Sequence, residues 1–157
     1  IRDRVQVAPL TVVRVTNLRA ASPEGVAVAV ADAFRAISAW ALRHDVEFQG
    51  QPFIITHHVA PGSEVYEAAV PIGRDVLAPQ DDVVGYGETP SGQAVCLLHR
   101  GSTLETLASY EQLNAWVRAH GLETAGVSWE HYLSDPSATP SSSTSLEICT
   151  MIEVEEP

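Results

Sequence analysis

Residues 34–47 read FRAISAWALRHDVE, and residues 110–123 read YEQLNAWVRAHGLE. Trp40, His44, Glu47 and Gly50 recur as Trp116, His120, Glu123 and Gly126, each 76 positions further on, and Phe53 recurs as the aromatic Trp129. With the pair Ala39/Ala115, five of the 20 positions in 34–53 are identical, where about one or two would arise from ordinary residue frequencies. Both stretches carry apolar residues at helical spacing, so they read as one helix written twice. A duplicated unit packed on its copy makes an approximate twofold seam, and such seams are natural ligand sites.

Working outward from the first copy, Ser22-Pro23-Glu24 is a helix start: a side-chain oxygen for the cap, a proline in the first turn, and an acid at the positive helix end. Val26, Val30, Phe34, Ile37 and Ala41 then extend the helix to about Arg43. Before it, residues 5–17 (VQVAPLTVVRVTN) read as one extended segment with Pro9 near its edge. After it, Gly50-Gln51-Pro52 breaks the chain, and residues 53–59 and 64–71 read as strands joined by the turn Ala60-Pro61-Gly62-Ser63. Residues 73–80 make a connector.

The order then repeats. Residues 93–100 read as a strand, and Ser102-Thr103-Leu104-Glu105 as a capping box. The second helix turns Leu107, Tyr110, Leu113 and Val117 inward and ends at Gly121. Residues 129–133 and 146–154 are the closing strands, separated by a polar loop over 134–145. That longer loop moves the repeat offset to 80 at Glu67/Glu147. The expected fold is α+β: tandem pseudo-twofold β-α-β-β units over about 5–72 and 92–154, in a single domain spanning 1–157. The units form an antiparallel sheet with two helices on one face and a ligand cleft on the other.

A chain of 157 residues, 45% hydrophobic and with mean hydropathy +0.03, can bury a core without staples. No uninterrupted apolar run approaches the length of a membrane span, and no basic-then-apolar start resembles a signal peptide. The expected location is the cytoplasm. The first residue is Ile1, which fits a segment of something longer. Cys96 and Cys149 sit in apolar runs and suit buried free thiols of a reducing compartment. Neither lies in a metal-ligand spacing, so no metal site is expected, and no cofactor. The net charge is −11, and all nine cations are Arg. Direct nucleic-acid binding through this chain is not expected, because phosphate neutralisation needs a basic patch. The acidity serves solubility first and cationic ligands second.

Side chains alternate faces along a strand. If Leu146, Ile148, Thr150 and Ile152 face the helix, then Glu147, Cys149 and Met151 face the other way. In the preceding strand Trp129, His131 and Leu133 alternate with Glu130 and Tyr132. A register bringing Glu130 beside Glu147 on the exposed face would create a carboxylate pair, with Glu67 in the matching place of the first copy. Glu130 matches Ile54, so that acid is new in the second half. Paired carboxylates in an apolar pocket raise at least one pKa. They can hold an organic cation against aromatic walls, or divide general-base and general-acid roles. The competing view is that both are solvated strand residues. His57 and His58 point to opposite faces of a strand and cannot easily share a metal. His44 and His120 suit helix C-termini, and His99 sits at a strand end where it could line a pocket. No Walker loop, GxSxG or GxGxxG is present, and Gly85-Tyr86-Gly87 is too short to interpret.

The ordered set His99-Arg100-Gly101-Ser102, Tyr110, Leu113, Trp116, His120-Gly121-Leu122, Gly126, Trp129-Glu130-His131-Tyr132-Leu133-Ser134-Asp135-Pro136 and Leu146-Glu147-Ile148 resembles the GyrI-like small-molecule-binding domain. Ala8-Pro9-Leu10 and Ala69-Val70-Pro71-Ile72 fit its first half. The resemblance implies two strand–helix–strand–strand units with a ligand cleft between them. The family includes effector-binding domains of MerR- and AraC-type multidrug regulators, gyrase inhibitors, and a subset resembling hydrolases of cyclopropane-bearing genotoxins. It implies Glu147 as the buried ligand-contacting acid, Glu130 as a second acid, and Trp129 and Tyr132 as aromatic walls. Thr103 departs from the pattern, since an aromatic often follows that glycine.

These readings make Glu130, Glu147, Trp129, Tyr132, Glu67, Cys149, Met151 and His99 the candidate ligand-binding residues. The leading function is cytoplasmic binding of bulky aromatic or cationic small molecules, for drug or toxin sensing or sequestration. The first alternative is a hydrolase that detoxifies an electrophilic, cyclopropane-bearing genotoxin, with Glu130 and Glu147 catalytic. The second is an acidic protein-interaction module that inhibits a DNA-handling enzyme, which clustering of Asp81, Asp82 and Glu88 would favour. No membrane partner is expected, and a regulator's DNA-binding part would lie outside this chain. Haem, bound by the distantly similar SOUL proteins, has no persuasive axial histidine here.

Overall fold

The structure is a computed structural model and describes residues 1–60, 62–101, 106–135 and 144–153. The proposed capping box at Ser102–Glu105 lies outside the described residues, as do position 61 of the first hairpin turn and positions 136–143 of the polar loop. The chain divides into two compact units, one of residues 9–89 and one of residues 1–8 with 90–157.

The unit of residues 9–89 contains β2 (Thr11–Leu18), α1 (Pro23–Arg43), β3 (Phe53–His58), β4 (Glu64–Pro71) and β5 (Gly85–Glu88). Its strands pair antiparallel in the order β3-β4-β2-β5. The other unit contains β1 (Arg2–Val7), β6 (Gly92–Arg100), α2 (Thr106–Ala119), β7 (Thr124–Tyr132) and β8 (Ser145–Ile152), in the antiparallel order β1-β6-β8-β7. Each unit is therefore a β-α-β-β module, α+β in class, with a fourth strand on the outer edge of its first strand. The fourth strands are exchanged. β1 precedes β2 in the chain but pairs with β6, and β5 precedes β6 but pairs with β2.

That exchange corrects the sequence reading of residues 5–17 as one segment. Residues 8–10 leave the ladder between β1 and β2, where Pro9 has no N–H to donate. β5, with the sequence GYGE, carries no hydrophobic alternation that would have disclosed it.

Ser22 caps α1 by accepting the Gly25 N–H at 3.1 Å. In composition α1 is long and apolar enough to cross a bilayer. Its stripe of Val30, Ala33, Ile37, Trp40 and Ala41 is instead buried, packed with Val13, Val15, Ala68 and Val70 of its own sheet. In the second unit Leu113 and Val117 of α2 pack with Val95, Leu146, Ile148 and Ile152. Leu107, expected inward, is 69% exposed; the inward stripe begins with Tyr110, one turn later.

The repeated helix ends are also repeated structures. His44 N–H donates to the Trp40 carbonyl and Val46 N–H to the Ala41 carbonyl; His120 to Trp116 and Leu122 to Val117 match them. Asp45 (φ 53°) and Gly121 (φ 67°) hold the left-handed position between each pair of bonds.

The expectation of two free thiols is overturned. Cys96 and Cys149 are direct register partners on β6 and β8, with Cα atoms 4.1 Å apart, and form a disulfide. Their separation of 53 residues concealed an adjacency that only strand pairing creates.

Candidate functional site

The β7/β8 register decides what faces what. Trp129 pairs with Cys149, Glu130 with Ile148, His131 with Glu147, and Tyr132 with Leu146. Ile148 and Leu146 belong to the core beneath α2. Alternation then places Trp129, His131, Glu147, Cys149 and Met151 on the face away from the helix, and Glu130 and Tyr132 on the helix side. His99 pairs with Leu146 and also lies on the helix side. The expected side-by-side placement of Glu130 and Glu147 is therefore corrected. Both alternate as expected within their strands, but the register puts their side chains on opposite faces.

On the face away from α2, Glu147 is partly buried and forms an ion pair with Arg2. Arg2 is the register partner of Cys96, so its side chain crosses β6 to reach Glu147 on β8. The Cys149 Sγ lies 3.7 Å from Glu147 Oε1; being disulfide-bonded, that sulfur has no proton to donate, and the pair is a contact. Trp129 is only 3% exposed and Cys149 1%, so these two form floor rather than open wall. Met151 opposes Ala94 on β6, and its Cε lies 2.9 Å from where a Cβ on Gly92 would fall.

The helix-side residues make a separate polar cluster. His99 is buried, and its Nδ1 lies 2.8 Å from the Ser109 hydroxyl on α2. Burial pushes the Glu130 carboxyl above its ordinary range, while the Tyr110 hydroxyl and the nearby His99 act the other way. Burial, and then the charge of Glu130, push the Tyr132 hydroxyl up in turn.

Glu67, the counterpart of Glu147 in the other unit, also lies on the face away from its helix. It is 9% exposed. Its Oε1 lies 2.8 Å from His57 Nε2 and its Oε2 3.4 Å from Arg14 Nη1. Gly87 makes room for Arg14, since a Cβ there would collide with the guanidinium. The tripeptide Gly85-Tyr86-Gly87 thus has a structural purpose. The same unit has a groove of about 460 Å³ at the end of α1, lined by His44, Asp45, Glu47 and Gln49 among others.

Sequence reasoning missed Arg2, Arg14 and His57 as partners of the two acids. Arg14, alone among the valines at 12, 13 and 15, was a legible signal; Arg2 carried none, because its strand pairs with a segment some ninety residues away.

The family profile of the GyrI-like small molecule binding domain matches residues 5–153. The chain belongs to this family of small-molecule-binding domains. Among solved structures, the C-terminal domain of EcmrR is 13% identical with a TM-score of 0.70, the match covering 96% of this chain and 95% of that one. EcmrR in its complex with DNA matches with a TM-score of 0.75 and 13% identity, over 96% of this chain and 56% of that chain. A hydrolase from Listeria innocua is 12% identical with a TM-score of 0.63, over 96% and 91% of the two chains. At these identities the likenesses establish the fold. No curated protein matches the chain significantly.

Proposed function

We propose that this domain binds planar or bulky organic cations, as a drug or toxin sensor or sequestering protein of the cytoplasm, on the sheet face that carries Glu147. One observation carries the reading: the Arg2 guanidinium, a flat delocalised cation, is already seated on Glu147. Arg2 is 60% exposed on an edge strand, so a ligand of similar charge and greater apolar area can displace it at small cost, exposed ion pairs being worth at most about 1 kcal/mol. Met151, partly exposed, supplies apolar, polarizable surface on the same face, with the buried Trp129 nearby beneath that surface. Titration with a panel of planar cationic dyes, followed by tryptophan fluorescence, tests this. Saturable binding lost in Glu147→Gln is expected; no saturation by any member would refute it.

The hydrolytic alternative has one observation in its favour, the desolvated Glu130 with Tyr110, Tyr132 and His99 around it. A carboxyl whose pKa is raised by burial suits donation of a proton to a leaving oxygen. In this form the reaction would run on Glu130 without Glu147. Ring-opened product from a cyclopropane-bearing alkylator, detected by mass spectrometry and lost in Glu130→Gln, is its signature. The interaction-module reading loses ground, because Asp81 is engaged locally: it accepts the Val83 and Val84 N–H groups and pairs with Arg43.

A further inference from the structure

The three donors Cys96 Sγ, Cys149 Sγ and a Glu147 carboxylate oxygen lie within 4.8 Å of one another. Two are soft sulfur donors and one is a carboxylate, a set suited to a zinc-group ion. The spacing suits it too. With a metal–sulfur bond of about 2.3 Å and a metal–oxygen bond of about 2.0 Å, the sulfur–oxygen edge of a tetrahedron is about 3.5 Å. The observed Cys149 Sγ to Glu147 Oε1 distance is 3.7 Å. The corresponding sulfur–sulfur edge is about 3.8 Å, close to the contact distance two thiols adopt once their bond is broken. Strand pairing holds Cys96 opposite Cys149 and sets Glu147 two residues along the same face, so no loop has to move to gather the ligands.

We propose that the reduced chain holds one Zn(II) or Cd(II) ion on Cys96, Cys149 and Glu147, and that the Cys96–Cys149 disulfide is the metal-free form of the same site. A dithiol reductant breaks the sulfur–sulfur bond, supplying two electrons and two protons, and is itself oxidised to a disulfide. The metal ion then displaces both thiol protons, and a solvent oxygen completes the coordination. Two thiolates, one carboxylate and a divalent ion leave one negative charge, which Arg2 beside Glu147 compensates. Glu147, 26% exposed at its side chain, gives the entry path to sulfurs that are themselves buried. This site does not depend on the organic-cation reading, since its test uses metal ions alone.

The test is titration of the full chain with Cd(II), before and after reduction by a phosphine, following the sulfur-to-cadmium charge-transfer absorption. The expected result is one ion per chain in the reduced protein and none in the oxidised protein. Glu147→Gln should weaken binding at least about tenfold, the scale seen for even outer-sphere changes at metal sites, and Cys96→Ser should abolish it. If Cys96→Ser does not fold by circular dichroism, the redox comparison in the natural sequence and Glu147→Gln still decide. No absorption in the folded, reduced chain, equal binding in both redox states, one ion shared by two chains, or undiminished binding by Glu147→Gln would each overturn the proposal.

Discussion

Glu130 lies opposite Ile148 and Glu147 opposite His131 on the same pair of strands, so the two acids, one register step apart, leave the sheet in opposite directions. Glu130 enters the polar cluster beneath α2 with Tyr110 and His99; Glu147 meets Arg2 and the Cys96–Cys149 disulfide. One is a desolvated acid and the other an ion-paired one, and they answer to different experiments.

Burial raises the Glu130 pKa above its ordinary value of 4.5 by penalising the anion. Between that value and its raised folded value the native state binds the extra proton, so stability falls as pH rises through the window and the penalty persists above it. Glu130→Gln should therefore melt higher than the natural sequence at about pH 8, with the difference vanishing near pH 4. Paired thermal melts across pH check this; a difference that grows on acidification would contradict it.

Removing Arg2 frees Glu147 of its resident guanidinium. Arg2→Ala should cost at most about 1 kcal/mol of stability, as exposed pairs do, yet tighten binding of a planar organic cation by up to about fivefold. Dye titration of the two proteins in parallel measures it, and the gain should shrink in high salt.

Gly87 and Arg14 should prove energetically coupled. Gly87→Ala places a methyl group against the guanidinium that reaches Glu67, costing about 1–3 kcal/mol as overpacking does. In an Arg14→Ala background the same change should cost less. A double-mutant cycle by urea denaturation gives the coupling, expected to exceed about 0.5 kcal/mol for groups in contact.

The two helix ends offer opposite substitutions. Asp45→Gly relieves a left-handed non-glycine residue and should stabilise by about 0.5–1 kcal/mol. Gly121→Ala introduces the strain that Asp45 already carries and should destabilise by about 1 kcal/mol. In a chain of this size each is a melting shift of about 2–4 °C.

The disulfide closes a loop across a separation of 53 residues, for which chain entropy gives about 4 kcal/mol of stabilisation. Reduction should lower the guanidinium midpoint accordingly, and Zn(II) added to the reduced chain should restore part of it.

Much of the architecture is carried by local chemistry. The Ser22 cap, the apolar stripe from Val30 to Ala41, the left-handed exits at Asp45 and Gly121, and the alternation within β4 and β8 each follow from neighbouring residues. The ordered family residues from His99 to Ile148 rest on the same local patterns. β1 and β5 were not legible as separate strands, because each is completed by a partner from the far half of the chain. The pairing of Arg2 with Glu147 and of Cys96 with Cys149 depends on those distant partners in the same way.

The sequence by itself determined the modules: two strand–helix–strand–strand units, their helix ends and the residues that share a face within each strand. Only the tertiary structure decided which faces coincide. Alternation fixes parity along one strand, but parity between strands is set by register, and a single-residue slip turns every side chain over. That one degree of freedom separated Glu130 from Glu147 and joined Cys96 to Cys149, and with them it set where the site's chemistry lies.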